Sequence, residues 1–423
     1  MKEVRIPYGS VSLPFLFRGD SLEVLEPTLM TIAEPRSDEE VLMAALEHPI
    51  GMPALDQLAK DKKTAVIIIS DHTRPVPSHI ITPLILSKLR EGNPDIAITI
   101  LVATGCHRGT TEEELISKLG SGLVRKERII VHDCDSLDDM IDIGELPSGA
   151  RLRLNRRAIE TDLLIAEGFV EPHFFAGFSG GRKSVLPGIC ARQTVMENHN
   201  AQFIADEFAR AGVLKNNPLH RDMIHAAKLA KLQYVVNVIL GKDKKIVGAF
   251  AGDPFAAHEA ACEELKSSSA IFPAHKGDIV VTSNGGAPLD QNIYQTVKGM
   301  STAEAAANDG AIIVMCAKCE DGIGGESFYR AIRDCVSLDH LEREIMRTPS
   351  EQTKPDQWQY QILVRILKKH RVFFVTEPGL KDVVENMKME YFPTLDAAMA
   401  AASAIKPQGH VVVIPDGVTA IVC

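Results

Sequence analysis

Short runs rich in valine and isoleucine recur along most of this chain, and longer amphipathic segments separate them. Runs such as residues 64–70 (TAVIIIS) and 234–240 (YVVNVIL) contain almost no polar side chain, so both faces of each strand must be buried. Strands of this kind are typical of parallel sheets with helices on both sides. The alternation of strand and helix patterns therefore predicts the α/β class.

The same patterns give the bounds of the predicted elements and domains. The predicted strands are residues 64–70, 96–103, 162–170, 234–240, 278–284, 311–317, 371–377 and 410–416. The predicted helices are residues 78–91, 111–119, 218–232, 254–267, 302–308 and 357–369. Between them, the stretch SSSAIFPAHKGD replaces a helical pattern with small residues, a proline and a new strand. We therefore expect an N-terminal domain over residues 1–272, a smaller α/β domain over residues 273–423, and a site in the cleft between them.

The composition argues against several classes of function. A formal net charge of −10 without a long basic block argues against nucleic acid as the main partner. No apolar run reaches the roughly 18 residues of a membrane span, and MKEVRIPYGS lacks the apolar segment of a secretion signal. Eight cysteines scattered along 423 residues suit a reducing cytoplasm better than a disulfide framework. We therefore expect a cytoplasmic protein that does not enter a membrane.

Polar side chains follow the ends of four predicted strands. The loops are DHTRP with Asp71 and Thr73, TGCHRGT with His107, EPHFFAGFSGGRKS with His173 and Lys183, and GGAPLDQNIYQTVKG. Taken alone, Asp71 and Thr73 could be turn formers, and a single loop histidine is usually solvated. Ligands of open α/β sheets bind at the carboxyl ends of strands, so the four loops together indicate a site on one rim.

The segment GFSGGRKS differs by one substitution from the phosphate-binding motif G-x-x-x-x-G-K-[ST]. Arg182 occupies the position of the second glycine, and EPHFFA separates the segment from its strand, whereas the glycine of a P-loop follows the strand directly. A P-loop-like kinase or phosphohydrolase is one interpretation. In another, the glycine-rich loop holds Lys183 at a phosphorylated cofactor, and such a lysine can also bond covalently to a carbonyl-type carbon.

Two further segments contain side chains suited to a small-molecule site. His199, in ENHN, could be a ligand for a soft or borderline divalent metal, nickel included. Tyr294 and Lys298 are four residues apart and would share one helix face, with Gln295 beside Lys298. Lys298 and Arg74 together would bind a carboxylate with two positive charges, and arginine can do so through two parallel hydrogen bonds.

In this order and spacing, DHTRP, ATGCHRGTTEEE, EPHFFAGFSGGRKS, ENHN and GGAPLDQNIYQTVKG resemble the nickel-dependent lactate racemase family, which also includes racemases and epimerases of other 2-hydroxy acids. The resemblance implies two α/β domains with the active site between them. It also implies a nickel-pincer nucleotide, pyridinium-3,5-bisthiocarboxylic acid mononucleotide nickel, made by dedicated biosynthetic enzymes. The expected substrate is lactate or a related 2-hydroxy acid.

The resemblance also implies roles for individual residues. Lys183 would be bonded covalently to the cofactor, and His199 would be the protein's ligand to nickel. His107 and His173 would be the paired acid/base residues. The remaining expected contacts are to the cofactor, from Asp71, Thr73, Gly180 and Gly181, and to the substrate, from Arg74, Tyr294, Gln295, Lys298 and Trp358.

The implied reaction explains why two histidines are needed. The C2 hydrogen of a 2-hydroxy acid is not acidic enough for easy removal as a proton, whereas its loss as hydride to a pyridinium-type cofactor gives a planar 2-keto acid. The hydroxyl proton must leave as well, which requires a base, and mirror-image substrates present that hydroxyl on opposite sides. A non-catalytic cofactor-binding protein would not need two such groups. For Arg182, the cofactor phosphate, a substrate carboxylate and solvent are all open as contacts.

Overall fold

The computed structural model describes residues 2–17, 21–28, 36–241 and 243–423. Its strands are β1 (Lys2–Tyr8), β2 (Val11–Phe17), β3 (Leu22–Val24), β4 (Thr64–Ser70), β5 (Ala97–Ala103), β6 (Arg128–Val131), β7 (Met140–Glu145), β8 (Arg151–Asn155), β9 (Leu163–Phe169), β10 (Pro172–His173), β11 (Gly177–Phe178), β12 (Tyr234–Leu240), β13 (Ile246–Gly252), β14 (Ala270–Ile271), β15 (Gly277–Ser283), β16 (Ala307–Cys316), β17 (Arg371–Val375), β18 (Glu390–Phe392), β19 (Val411–Ile414) and β20 (Ile421–Val422).

Helices connect most of these strands. They are α1 (Asp38–Glu47), α2 (Leu55–Ala59), α3 (Ser78–Gly92), α4 (Glu112–Leu119), α5 (Ser121–Lys126), α6 (Arg156–Ile159), α7 (Arg192–Asn198), α8 (Ala201–Ala205), α9 (Pro218–Leu229), α10 (Ala256–Ser269), α11 (Ile293–Ala305), α12 (Glu326–Arg333), α13 (Leu338–Arg347), α14 (Gln357–Lys369), α15 (Lys381–Asn386) and α16 (Leu395–Ile405). Over the described ranges, none of the helices has both the length and the apolar character that a membrane crossing requires.

Two six-stranded sheets form the framework of the fold. The first has the order β13-β12-β9-β4-β5-β6 and is parallel except for β13. The second has the order β18-β17-β16-β15-β19-β3 and is parallel throughout. Every residue of β9 is buried, as expected for a central strand with both faces covered. The predicted α/β class is confirmed.

The first strands of the chain lie with the second sheet, β3 as one of its strands and β1 and β2 as a separate hairpin packed against it. β3 is the edge strand beside β19, and the β1–β2 hairpin packs Ile6 and Phe15 into one hydrophobic cluster with Val281 of β15. The division into two domains at residues 1–272 and 273–423 stays a prediction. In the structure, however, β1 to β3 pack with strands that lie within residues 273–423. The reason is packing, because the apolar face of the hairpin is buried against β15 and β16.

All of the predicted strands are present, and most predicted helices have the expected bounds within a few residues. The helix predicted over residues 302–308 is wrong in both of its ends. α11 begins at Ile293, where the Asn292 side chain accepts a hydrogen bond from the Gln295 N–H, and it ends at Ala305. β16 then begins at Ala307, so the small residues that were predicted as one helix are divided between α11 and β16.

Candidate active site

A cavity between the two sheets brings together several of the predicted loops. The loop after β9 and the chain near β20 and α11 supply its walls, which comprise Glu171, Pro172, His173, Phe174, Ala211, Lys298, Thr302, Gly417 and Val418. Residues far apart in the sequence therefore meet at the carboxyl ends of the strands, as the position of the loops predicted.

The turn after β4 holds His107 in one orientation. Asp71 is only 2% exposed, and its two carboxylate oxygens accept hydrogen bonds from Thr73 Oγ1 (2.6 Å) and His107 Nδ1 (2.7 Å). Burial raises the pKa of Asp71, but the hydrogen bonds from His107 and Thr73 outweigh it and bring that pKa to about 2. Because an ionised carboxylate only accepts, Nδ1 carries the hydrogen and Nε2 is the nitrogen that can take a proton.

Two buried charged residues support this turn and were not predicted. Lys118, in the last turn of α4, donates a hydrogen bond to the Arg74 carbonyl at 3.2 Å. Glu167, in β9, accepts hydrogen bonds from the hydroxyls of Ser78 and Thr82 in α3. Burial raises the pKa of Glu167 and lowers that of Lys118, and the two opposite charges attract each other. Neither residue follows a strand end, which was the signal used to find the site.

His173 lies directly beside Lys183. Its Nε2 is 3.2 Å from Lys183 Nζ, while Nδ1 accepts a hydrogen bond from the Ala176 N–H at 3.3 Å. Burial, followed by the positive charges of Lys183 and Lys298, lowers the pKa of His173 well below its usual value. The imidazole is therefore neutral at pH 7, and because Nδ1 accepts, Nε2 carries the hydrogen and donates to the lysine.

Lys183 lies in a 3₁₀ turn over Gly181–Ser184. Burial, followed by the charge of its neighbour Arg182, lowers the pKa of Lys183 well below the usual value. Its amine is 5.8 Å from the centre of the Phe175 ring, which supplies part of the apolar surroundings. A lowered pKa favours the neutral amine, which is the form that attacks a carbonyl-type carbon.

Glu171 is the negative group of the cleft, and sequence reasoning missed it. Burial raises its pKa, whereas the positive charges of Lys298, Arg74 and Lys183 lower it. Burial, followed by the charge of Arg74, brings the pKa of Lys298 to about 8. The signal was present in the sequence, because Glu171 follows β9 and precedes His173 by two residues. The predicted pair Arg74 and Lys298 therefore lies with Lys183 and Glu171, and the carboxylate of Asp416 also acts on Glu171.

His199 has the geometry of a metal ligand. It follows the last residue of α7 rather than lying inside the helix, as had been predicted, and its Nδ1 donates to the Val195 carbonyl at 3.0 Å. Burial lowers its pKa to about 3, so Nε2 keeps its lone pair. The rings of Phe175 and Trp358 meet it edge-on at 5.3 and 5.0 Å. A neutral histidine oriented by a carbonyl fits the predicted nickel ligand.

The predicted substrate-side residues lie on α11 and α14. Tyr294 donates a hydrogen bond to Asp356 at 3.1 Å, and Lys298 follows one turn later on α11. Trp358, at the start of α14, lies beside His199. Gln295 is in the first turn of α11. The structure therefore brings Trp358 beside His199 and Lys298 within electrostatic reach of Lys183, while the predicted Arg74 lies in the turn after β4.

The glycine-rich loop uses its own backbone groups and does not offer them to a phosphate. Gly180 and Gly181 have φ angles of 73° and 52°, a region that favours glycine. The Gly181 N–H donates to Asn237 Oδ1 at 3.0 Å, and the Lys183 N–H donates to the Gly180 carbonyl at 3.1 Å. A Cβ atom on Gly181 would lie 2.6 Å from the His258 ring. These observations oppose the P-loop interpretation.

Arg182 points away from the cleft and contacts none of the three groups considered for it. Its side chain is 1% exposed. Nη1 donates to the Phe178 carbonyl at 2.7 Å, Nη2 to the Ala176 carbonyl at 2.8 Å, and Nε to His220 Nδ1 at 3.0 Å. Burial therefore excludes solvent as its main contact, and the guanidinium binds the loop that precedes it.

The chain is similar to known proteins over almost its whole length. The family models for the lactate racemase N-terminal domain and the lactate racemase C-terminal domain match residues 8–212 and 272–422. The chain is 47% identical to the lactate racemase of Thermoanaerobacterium thermosaccharolyticum, covering 100% of this chain and 99% of that protein. It is 50% identical to the lactate racemase of Lactiplantibacillus plantarum over 91% of each chain.

Solved structures show the same relationship. The lactate racemase apoprotein from T. thermosaccharolyticum superposes with a TM-score of 0.96 at 46% identity, covering 100% of both chains. A protein from Thermotoga maritima superposes with a TM-score of 0.65 at 17% identity over 93% of this chain, which shows a shared fold alone. The fold and the site are those of an isomerase of the racemase type. The chain belongs to the lactate racemase family.

Proposed function

We propose that this protein racemises lactate or a closely related 2-hydroxy acid with a nickel-pincer nucleotide bonded to Lys183. The observation that carries the proposal is the contact of His173 with Lys183, whose pKa is lowered well below its usual value, in a fold that also orients His107 through Asp71 and His199 through a backbone carbonyl. Binding alone requires no such pair of proton-transfer groups, which argues against a non-catalytic cofactor-binding protein.

The side chains in the cleft fit the proposed cofactor. His199 Nε2 would bind the nickel, and Lys183 would hold the group covalently. Dedicated biosynthetic enzymes would supply the group. When bound, it supplies a hydride acceptor, so that the C2 hydrogen leaves with its electron pair and a planar 2-keto acid results. Asp71 accepts hydrogen bonds from both Thr73 and His107, so the support that Asp71 and Thr73 give to the cofactor would be indirect.

The two histidines would handle the hydroxyl proton. Asp71 fixes the hydrogen of His107 on Nδ1, so Nε2 can accept a proton from one enantiomer. Attachment of Lys183 would release the Nε2 of His173 from its contact with the amine. To accept a proton there from the other enantiomer, the ring would have to carry its hydrogen on Nδ1 and give up the 3.3 Å contact with the Ala176 N–H. One histidine would take the hydroxyl proton and the other would return a proton to the oxygen, while inversion at C2 would require the hydride to return to the other face of the planar 2-keto acid.

The substrate carboxylate would bind to Arg74 and Lys298. Both charges act on Glu171, so they lie within electrostatic reach of one point in the cleft. Arginine would give two parallel hydrogen bonds and lysine a single point charge. Tyr294, Gln295 and Trp358 would complete this side of the cleft.

The charge of Lys298 gives a prediction about pH. Because its pKa is about 8, the ammonium is present below that pH and is lost above it. We expect KM for lactate to rise by about tenfold per pH unit above pH 8 as the carboxylate loses this partner. Lys298→Arg keeps its charge at high pH and should remove the rise. Steady-state KM values for one enantiomer, measured between about pH 7 and 10, test this, and an unchanged rise in Lys298→Arg would contradict it.

The experiment that tests the proposed function combines intact mass with nickel analysis. Protein produced together with the cofactor-making enzymes should carry an adduct of several hundred daltons and about one nickel per chain, the adduct being absent from Lys183→Ala. Racemisation of single-enantiomer lactate should accompany the adduct. The same protein without adduct or nickel, while the cofactor is demonstrably present, would reject the proposal and return the P-loop and binding-protein interpretations to consideration.

A further inference from the structure

Arg182 is a buried cation whose hydrogen bonds, over the described residues, go to carbonyls and imidazoles and not to a carboxylate. Burying a charge without an opposite charge is costly, and most buried arginines are ion-paired. Burial lowers the pKa of Arg182, but only to about 10, so the guanidinium is charged at neutral pH. The residue therefore places a fixed positive charge next to Lys183 in the chain.

The guanidinium also determines the shape of the loop that joins His173 to Lys183. It donates to the carbonyls of Ala176, Phe178 and Gly180 at 2.8, 2.7 and 3.2 Å. These three carbonyls span the segment between the two residues whose Nε2 and Nζ atoms lie 3.2 Å apart. The hydrogen bonds therefore fix the distance between the histidine and the lysine.

Two histidines bind Arg182 without neutralising it. His220 Nδ1 accepts from Arg182 Nε at 3.0 Å, and burial and then the charge of Arg182 lower the pKa of His220 to about 3. His258 Nε2 donates to the Ser179 carbonyl at 2.8 Å, and burial, followed by Arg182, lowers the pKa of His258 well below its usual value. Both imidazoles are neutral, so the field of the guanidinium reaches its neighbours undiminished by a counter-charge.

Several groups act on the Lys183 amine. Besides its burial, the positive charges of Arg182, Arg74 and Lys298 oppose protonation, and the negative charge of Glu171 favours it. His173 is the group in hydrogen-bond contact with the amine. Among the three cations, Arg182 is fully buried and held by several hydrogen bonds, whereas Arg74 is exposed at the rim. Of the three positive charges, that of Arg182 is therefore the one whose effect on the amine is least screened by water.

We propose that Arg182 is a positioning residue that sets the Lys183 amine against His173 and, through its uncompensated charge, keeps that amine in the neutral, nucleophilic form. The inference rests on the proposed function in that Lys183 is taken to bond to a cofactor. Arg182 contacts neither cofactor nor substrate, and its effect is transmitted through the loop and through the electric field.

The test measures how reactive Lys183 is in the apoprotein. Acetic anhydride acetylates a neutral amine: the carbon–nitrogen bond forms, acetate leaves and the amine proton goes to water. Labelling against pH, read by peptide mass, gives the titration midpoint of Lys183, and exposed Lys60 in the same digest is the internal reference. We expect Lys183 to be labelled at a much lower pH than Lys60. Arg182→Gln should raise the Lys183 midpoint by about one pH unit or more.

Matched variants separate charge from structure. Arg182→Lys keeps the charge and loses most of the loop contacts, so its midpoint should stay close to that of the unaltered protein. If Arg182→Gln does not fold, His220→Glu, at a partly exposed position, places a carboxylate beside Arg182 Nε and leaves the arginine in place. His220→Glu should raise the midpoint of Lys183, whereas the uncharged His220→Gln should not.

The outcomes distinguish this inference from the proposed function. Equal midpoints in His220→Glu and His220→Gln, or in Arg182→Gln and Arg182→Lys when both fold, would reduce Arg182 to a structural role. An adduct on Lys183 in coexpressed protein would still support the proposed function in that case. Conversely, the expected midpoint shifts without any adduct or nickel would support the role of Arg182 and reject the cofactor.

Discussion

Racemisation should fall by about 10²- to 10⁴-fold when either His107 or His173 is replaced by alanine, which is the usual contribution of a positioned acid/base group. Each turnover requires one histidine to take the hydroxyl proton and the other to return one, so the loss should be similar in both directions. The measurement is the initial rate from pure L-lactate and pure D-lactate with holoprotein of confirmed adduct content. His340→Ala, at an exposed position on α13, is the matched control.

A single-turnover experiment makes the prediction sharper. With each variant, formation of the 2-keto acid should be lost for one enantiomer and retained for the other, and the two variants should lose opposite enantiomers. Retention of full racemase activity in both variants would show that the proposed proton transfer is wrong. The rates of His173→Ala should be divided by its content of adduct and nickel, because His173 contacts Lys183 and its replacement can reduce cofactor attachment.

The second large effect concerns Asp71. Asp71→Asn should lower the racemisation rate by about 10²-fold or more, by analogy with the carboxylate that orients the histidine of a serine protease. The carboxylate accepts the Nδ1 hydrogen of His107, whereas an asparagine amide could donate to Nδ1 and place the hydrogen on Nε2, where it blocks proton uptake. The measurement is kcat and KM of the holoprotein, which separates an effect on catalysis from an effect on substrate binding. We expect kcat to fall and KM to change little.

Asp253→Asn provides the comparison for Asp71→Asn. Asp253 also accepts backbone hydrogen bonds in a turn after a strand, at 3.0 and 2.9 Å from Phe255 and Ala256, but contacts no histidine. Its replacement should leave kcat unchanged. If Asp71→Asn kept the racemisation rate within about twofold, orientation of His107 by the carboxylate would not matter for catalysis.

The strands and the loops of the site were predictable because their signals are local. Runs such as those of β4 and β12 are apolar on both faces, and a central parallel strand is the structure that buries both. The polar residues after such strands then have to meet at one edge of the sheet. The edge strand β3 was not predicted, since three residues give too short a pattern and its partner, β19, is almost 400 residues away.

Partners and orientations could not be predicted, because they depend on contacts between distant segments. The sequence shows Asp71 and His107 as separate motifs, and their hydrogen bond exists only because β4 and β5 are adjacent. Arg182 beside Lys183 suggested a cleft residue, yet its side chain turns to carbonyls of its own loop and to His220 on α9. The direction of a side chain in a 3₁₀ turn depends on packing against distant segments, and a local sequence pattern does not predict it.

The position of β3 has a consequence for synthesis of the chain. Its hydrogen-bond partners in β19, such as Val413, follow it by almost 400 residues, so β3 leaves the ribosome long before they do. During most of elongation, the β1–β2 hairpin also lacks the β15 and β16 surfaces that cover its apolar face. The first sheet, formed from β4 to β13, can assemble in the meantime, whereas the second waits for both ends of the polypeptide. Completion of the cleft is therefore a late event, and the amino-terminal segment requires protection from aggregation until then.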